Sequence, residues 1–105
     1  MGERVTTGTW RVDPAKFGSF VEEWAAFAEW ASSMPGAGTL RLGRDAGDSM
    51  RFVSYAAWES EGSVRTWKAS PEFRERLARV LRHVDDFEAS ELDVVVATGH
   101  RAMSS

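Results

Sequence analysis

The sequence predicts an α+β domain whose elements run β-α-β-β-α-β. Three observations predict it. A Val- and Thr-rich opening segment is followed by an amphipathic helix. Two alternating segments joined by a polar turn form a hairpin in the middle of the chain. A second amphipathic helix, broken near its start, leads to a Val-rich final segment.

The segment from about Arg4 to Val12 has the β-branched character of a strand and is closed by Asp13-Pro14. Asp13 is placed to cap a helix with Pro14 at its first position, where no amide donor is needed. That helix is expected to run to about Met34, because Phe17, Phe20, Val21, Trp24, Phe27 and Ala31 recur at spacings that form one stripe. Pro35-Gly36-Ala37-Gly38 ends it. Thr39 to Arg44 alternates strictly and reads as a half-buried strand, and Asp45-Ala46-Gly47-Asp48 as the turn of a hairpin.

The return arm, Met50 to Trp58, is the longest predicted strand. Phe52, Ser54, Ala56 and Trp58 share one face; Arg51, Val53, Tyr55 and Ala57 share the other. Both faces carry apolar groups, so both are expected to be covered. A short helix follows from Ser60 to Ala69, with Val64 and Trp67 on it. Ser70-Pro71 restarts a helix that carries Phe73, Leu77, Val80, Leu81 and Val84 and is expected to reach about Phe87. Glu91 to Thr98 is the expected last strand, and Gly99 to Ser105 a mobile tail or an arm onto a partner. This is the split βαβ, ferredoxin-like order: a four-stranded antiparallel sheet with helices on one face. The other face, with Val53 and Tyr55, must bury itself elsewhere, and a homodimer in which two sheets meet is the economical expectation.

A chain of 105 residues suits one domain, expected to span 1–105 with an ordered core of about 4–98. At this size only about 60–65% of the unfolded chain's surface is buried, so association would help. Five Trp and six Phe are more than a thin two-layer domain readily hides, which points to a ligand pocket, a subunit interface or both. The net charge is −3 and the basic residues are scattered, against a nucleic-acid partner, which needs a basic stripe. With no cysteine, disulfides and thiolate chemistry are excluded. His83 and His100 have no partner at metal-binding spacing, so no metal is expected. No glycine pattern for a dinucleotide follows the first strand. No signal peptide or membrane-spanning run is visible, and a cytoplasmic location is the expectation.

Two stretches carry a family resemblance: Arg51-Phe52-Val53-Ser54-Tyr55-Ala56-Ala57-Trp58-Glu59-Ser60-Glu61, and Trp67-Lys68-Ala69-Ser70-Pro71-Glu72-Phe73-Arg74. With them the chain, from about Val5 to Ala97, resembles the antibiotic biosynthesis monooxygenase domains of the dimeric α+β barrel superfamily. The resemblance implies a cofactor-independent monooxygenase of secondary metabolism. Its partners would be a hydrophobic aromatic molecule of polyketide type and dioxygen, with no cofactor. In such enzymes the substrate anion passes an electron to dioxygen inside a dry, shaped pocket. Trp58 matches the family's strand tryptophan. Ser54 stands where the family has an asparagine, and Val64 where some members have a tyrosine. The haem-degrading branch needs an axial histidine where this chain has Leu77, so haem is not expected.

The candidate catalytic residues are thus Trp58, to pack a substrate ring, and Ser54, to orient a phenolic or keto oxygen. Phe20, Trp24, Phe52, Val64 and Trp67 are the candidate substrate-binding wall. Trp10 and Trp30 are expected to pack at an edge or an interface. The alternatives are a non-catalytic small-molecule-binding or accessory dimer of the same fold, or a polyketide cyclase or isomerase.

Overall fold

The structure is a computed structural model and describes residues 2–98; the tail from Gly99 to Ser105, with His100, lies outside the described residues. The strands are β1 (Arg4–Arg11), β2 (Ala37–Arg44), β3 (Arg51–Trp58) and β4 (Asp86–Asp93). The helices are α1 (Phe17–Ala31), α2 (Glu61–Ala69) and α3 (Pro71–Leu81). All neighbouring strands pair antiparallel in the order β2-β3-β1-β4. This is the ferredoxin-like α+β fold, with β1 and β3 in the middle.

Local chemistry sets the boundaries. The Asp13 side chain accepts from the Ala15 amide at 2.9 Å, but Pro14–Lys16 is a 3-10 turn and α1 proper begins at Phe17. Ser60 caps α2 and Ser70 caps α3, with Pro71 at the first position of α3. Gly36 takes φ +83°, and a Cβ there would run into the Ser63 hydroxyl. Only glycine meets both demands where the chain turns from α1 into β2.

Three expectations are corrected. First, α1 buries Phe20, Trp24, Phe27 and Ala31, whereas Val21 is 42% exposed. Val21 lies on the flank of α1 opposite Trp30, and it is Trp30 that packs beneath Arg76 of α3, 5.6 Å from its ring centre. Second, α3 stops at Leu81 instead of running to Phe87, and the last strand begins at Asp86, five positions before Glu91. Pairing with β1 fixes that register from Arg11↔Asp86 to Arg4↔Asp93, and it puts the Phe87 ring on Trp10, centroids 4.2 Å apart. Aromatic stacking against a buried strand thus overrides the β propensity of Val94-Val95-Val96. Val95 and Val96 lie beyond the strand, 87% and 76% exposed. The polar sequence of β4, Asp-Phe-Glu-Ala-Ser-Glu-Leu-Asp, is that of a charge-protected edge. Third, Trp10 is no edge residue: it is 3% exposed, on an interior strand.

The helices cover one sheet face. The other carries Thr7, Tyr55 and Ser90 in one cross-strand row and Val5, Ala57 and Leu92 in the next. Tyr55 and Leu92 are about half exposed there, at 46% and 49%. Among the described residues no helix is long and apolar enough to cross a membrane.

The β2–β3 turn is held by charge. Asp45 accepts from the Gly47 amide and from Arg51, both at 2.7 Å; Asp48 accepts from Arg11 at 2.9 Å and from the Met50 amide at 3.1 Å. The Gly47 amide and then Arg51 hold the Asp45 carboxyl below its ordinary value; Arg11 and then the Met50 amide do so for Asp48. A depressed folded value contributes stability that is fully present above the ordinary aspartate value of about 3.9 and is lost as pH falls through the folded one. The thermal midpoint, followed by circular dichroism, is therefore expected to drop below about pH 4. An Asp45→Asn, Asp48→Asn double variant should start lower and lose less across that window.

Candidate functional site

The helix-facing side of the sheet is ordered in cross-strand rows. At one end stand Phe52, Trp10 and Phe87; at the other Trp58 faces Arg4. The rows between carry small side chains at their centre: Ser54, Gly8 and Ala89 in one, Ala56 and Thr6 in the next, flanked by Leu42 and Leu40 on β2 and by Glu91 on β4. Large residues at the ends hold the helices off the sheet, and small ones in the middle leave the space unfilled. A cavity of about 180 Å³ results, many times the roughly 10–15 Å³ that a single water needs.

Its roof comes from the helices: Trp24 and Phe27 of α1, Trp67 of α2, Phe73 and Leu77 of α3. Trp67 meets Phe73 edge to face at 4.8 Å, and Phe27 is tilted against Phe73 at 5.9 Å. Lys68 stands at the lining as its one charged side chain, 3.7 Å from Glu91. No aspartate, glutamate or histidine is among the described lining residues. Nor do the described residues include a group of three or more side chains able to hold a metal.

The polar groups of the floor are two hydroxyls, each buried and each receiving an indole N–H. Trp10 Nε1 donates to Ser54 Oγ at 3.0 Å, and Trp58 Nε1 donates to Thr6 Oγ1 at 3.2 Å. Gly8 makes the first pair possible. A Cβ at Gly8 would lie 2.9 Å from Ser54 Oγ, 3.0 Å from Trp10 Nε1 and 3.0 Å from the Phe87 ring. In the roof, the buried Nε1 atoms of Trp24 and Trp67 find no hydrogen-bond partner among the described residues.

Of the residues singled out from the sequence, Ser54, Trp24 and Trp67 line this cavity. Trp58 does not. It lies one layer behind, 1% exposed, with its ring 4.5 Å from that of Trp67 and its N–H on Thr6. Phe20, Phe52 and Val64 are core residues, at 0%, 3% and 2% exposure, and are also outside the lining. Thr6, Gly8 and Trp10 of β1, with Phe87 and Ala89 of β4, went unnoticed as site residues. The alternation Thr6-Gly8-Trp10 was visible; that these small positions face Ser54 needed the strand register.

The family model for antibiotic biosynthesis monooxygenase matches residues 5–79. No curated protein matches the sequence. Among solved structures, a single-residue variant of SnoaB, a cofactor-independent oxygenase from Streptomyces nogalater, superposes with a TM-score of 0.86 at 18% identity, over 95% of this chain and 100% of that one. A candidate antibiotic biosynthesis monooxygenase from Nitrosomonas europaea gives 0.80 at 21% identity, over 94% and 97%. One from Deinococcus radiodurans gives 0.81 at 16% identity, over 92% and 97%. At such identities the structural likeness is one of fold.

The cavity's shape depends on Gly8, so Gly8→Ala is expected to destabilise the protein by about 1–3 kcal/mol through overpacking. Gly18→Ala, in open space on α1, should instead be neutral or stabilising by up to about 1 kcal/mol. Urea unfolding of the two variants tests the contrast; equal effects would mean the floor can relax.

Proposed function

The chain belongs to the antibiotic biosynthesis monooxygenase family, and on that premise we propose that it is a cofactor-independent oxygenase of secondary metabolism. Its substrate would be a hydrophobic aromatic molecule of polyketide type, held in the cavity beneath the helices. The observation that carries this reading is a buried hydroxyl, Ser54, in the floor of a cavity walled by Trp24, Phe27, Trp67 and Phe73. The rings bind the face of the aromatic substrate and keep water out. The Ser54 hydroxyl donates to a phenolic or keto oxygen, where negative charge sits in the substrate anion. Trp58 acts from behind the wall, backing Trp67.

For an anthrone the balance is direct. The ring methylene gives up two hydrogens, one atom of dioxygen becomes the new carbonyl, and the other leaves as water. The substrate supplies all four electrons, and dioxygen is the oxidant. The described lining holds no carboxylate or histidine to shuttle protons, so a substrate acidic enough to form its own anion fits better than cyclisation or isomerisation, which depend on a placed acid or base.

Oxygen uptake with 1,8-dihydroxy-9-anthrone, measured against buffer and against Ser54→Ala, tests the reading. The wild-type protein should exceed the uncatalysed rate, and the Ser54→Ala variant should lose on the order of a hundredfold in kcat. Trp58→Phe should also be slower. Uptake no faster than buffer would defeat the oxygenase reading, and binding without turnover would leave a non-catalytic binding protein.

The open sheet face supports a homodimer. Its rows of Val5, Ala57 and Leu92 and of Thr7, Tyr55 and Ser90 leave Tyr55 and Leu92 about half exposed beside short polar side chains, while Val5 is already buried. A sheet with helices on one side only leaves that surface to an identical copy. Sedimentation velocity at micromolar concentration is expected to show a dimer that Leu92→Asp converts to a monomer. A wild-type monomer would end this part of the proposal.

A further inference from the structure

The floor of the cavity contains a polar device that the family assignment does not address. Each central strand contributes one indole and one hydroxyl, and the two strands exchange them. Trp10 of β1 donates to Ser54 of β3, and Trp58 of β3 donates to Thr6 of β1. An indole nitrogen can only donate, so the direction of both bonds is fixed. Each hydroxyl therefore accepts, and its own proton stays free. Among the described residues neither hydroxyl donates to an acceptor, although Thr6 and Ser54 are each only 8% exposed. Both line the cavity. Their registers, Thr6↔Ala56 and Gly8↔Ser54, make them diagonal neighbours on one sheet face, within reach of one ligand edge.

The opposite wall, built of Trp24, Phe27, Trp67, Phe73 and Leu77, offers no side-chain acceptor. Trp24 and Trp67, 7% and 5% exposed, also line the cavity, and their buried N–H groups are unpartnered among the described residues. The floor thus holds two spare hydroxyl donors, the lining's charged side chain is the cation Lys68, and Glu91, across from Thr6 on the same sheet face, is engaged by Arg4 and Lys68. Such a lining is complementary to a ligand rich in acceptors.

We propose that Thr6 is a second oxygen-binding residue of this cavity, acting with Ser54 on carbonyl or phenolate oxygens of the bound aromatic, and that Trp58 and Trp10 are positioning residues that turn the two hydroxyl protons toward the ligand. The proposal rests on the cavity being the aromatic site put forward above. It extends that site to β1.

Two probes of one skeleton separate the ideas: menadione, which carries two carbonyl oxygens, and 2-methylnaphthalene, which carries none. A chain without cysteine gives the quinone no thiol to alkylate. Binding is measured by calorimetry on variants whose fold is verified by circular dichroism. Thr6→Val is expected to weaken menadione about fivefold and to leave 2-methylnaphthalene within about twofold. Trp58→Phe keeps a ring and removes the N–H; it should weaken menadione in the wild-type background and add little once Thr6 is Val. Trp10→Phe should behave likewise with Ser54→Ala, because a positioning residue has no effect without the group it positions. Equal losses for both probes, or additive losses in the double variants, would reduce the indoles to packing and overturn the proposal. Indifference of menadione to Thr6→Val would overturn it too. If neither probe binds the wild-type protein, the aromatic-site reading itself falls.

Discussion

The absence of a side chain at Gly8, where the side chains of Ser54, Trp10 and Phe87 converge, is the constraint from which the interior of this protein follows. With no side chain at that position, the Trp10 indole can lean diagonally across the strand pair and reach Ser54. The same gap lets Phe87 close over Trp10 from the edge strand. The end row is therefore thick with aromatic rings while the rows beside it are thin, and the helices, propped on the thick rows, cannot descend. A protein interior normally packs to crystal density. Here the sequence withholds volume at Gly8, Ser54, Ala56 and Ala89 on one face, and the helices answer with large rings that cannot bend down to fill it.

Holding such a space open has a thermodynamic consequence. Two buried indole donors without partners among the described residues each sacrifice about 1–3 kcal/mol of solvation that a hydrogen bond would restore. The lining rings forgo dispersion contacts on their cavity side. In a small domain with a net stability of only about 5–15 kcal/mol, that is a large sacrifice. The open sheet face adds unburied apolar surface. On the proposed reading association offsets part of this: a ligand would restore contacts to the lining rings, and a second sheet would cover Tyr55 and Leu92. Occupancy and assembly, as proposed, would be linked to folding by mass action.

Much of the fold was legible because its signals are periodic and local. The α1 stripe, the Asp45–Asp48 turn, and the Ser70-Pro71 restart each depend on a few neighbouring residues. The last strand was not. Asp86 to Asp93 is polar because it is an edge, and its place is set by what it pairs with, while Val94-Val95-Val96 imitates a buried strand it does not form. The site divides in the same manner. Ser54, Trp24 and Trp67 were visible from their positions on β3, α1 and α2. Thr6, Gly8 and Trp10 were not, since a threonine and a glycine in a strand become informative only once register shows what lies across from them. Phe20, Phe52 and Val64 share the faces of the residues that line the cavity and differ only in which row or turn they occupy, a distinction that periodicity does not carry.

The serine at position 54 now has a physical context. Where the family carries an asparagine, an amide offers two N–H donors from one side chain; a serine offers one. On the proposed arrangement this chain recovers the second donor from Thr6, one strand over, and fixes both protons with indoles that are themselves part of the core. The two designs differ in what they demand of the surroundings. A single amide needs only its own orientation held. Two hydroxyls on different strands need the strands in register and an indole behind each, which ties the chemistry of the floor to the packing of Trp10 against Phe87 and of Trp58 against Trp67. On that proposal the aromatic core and the polar site are one structure, and a change that loosens either ring pair would alter where the hydroxyl protons point.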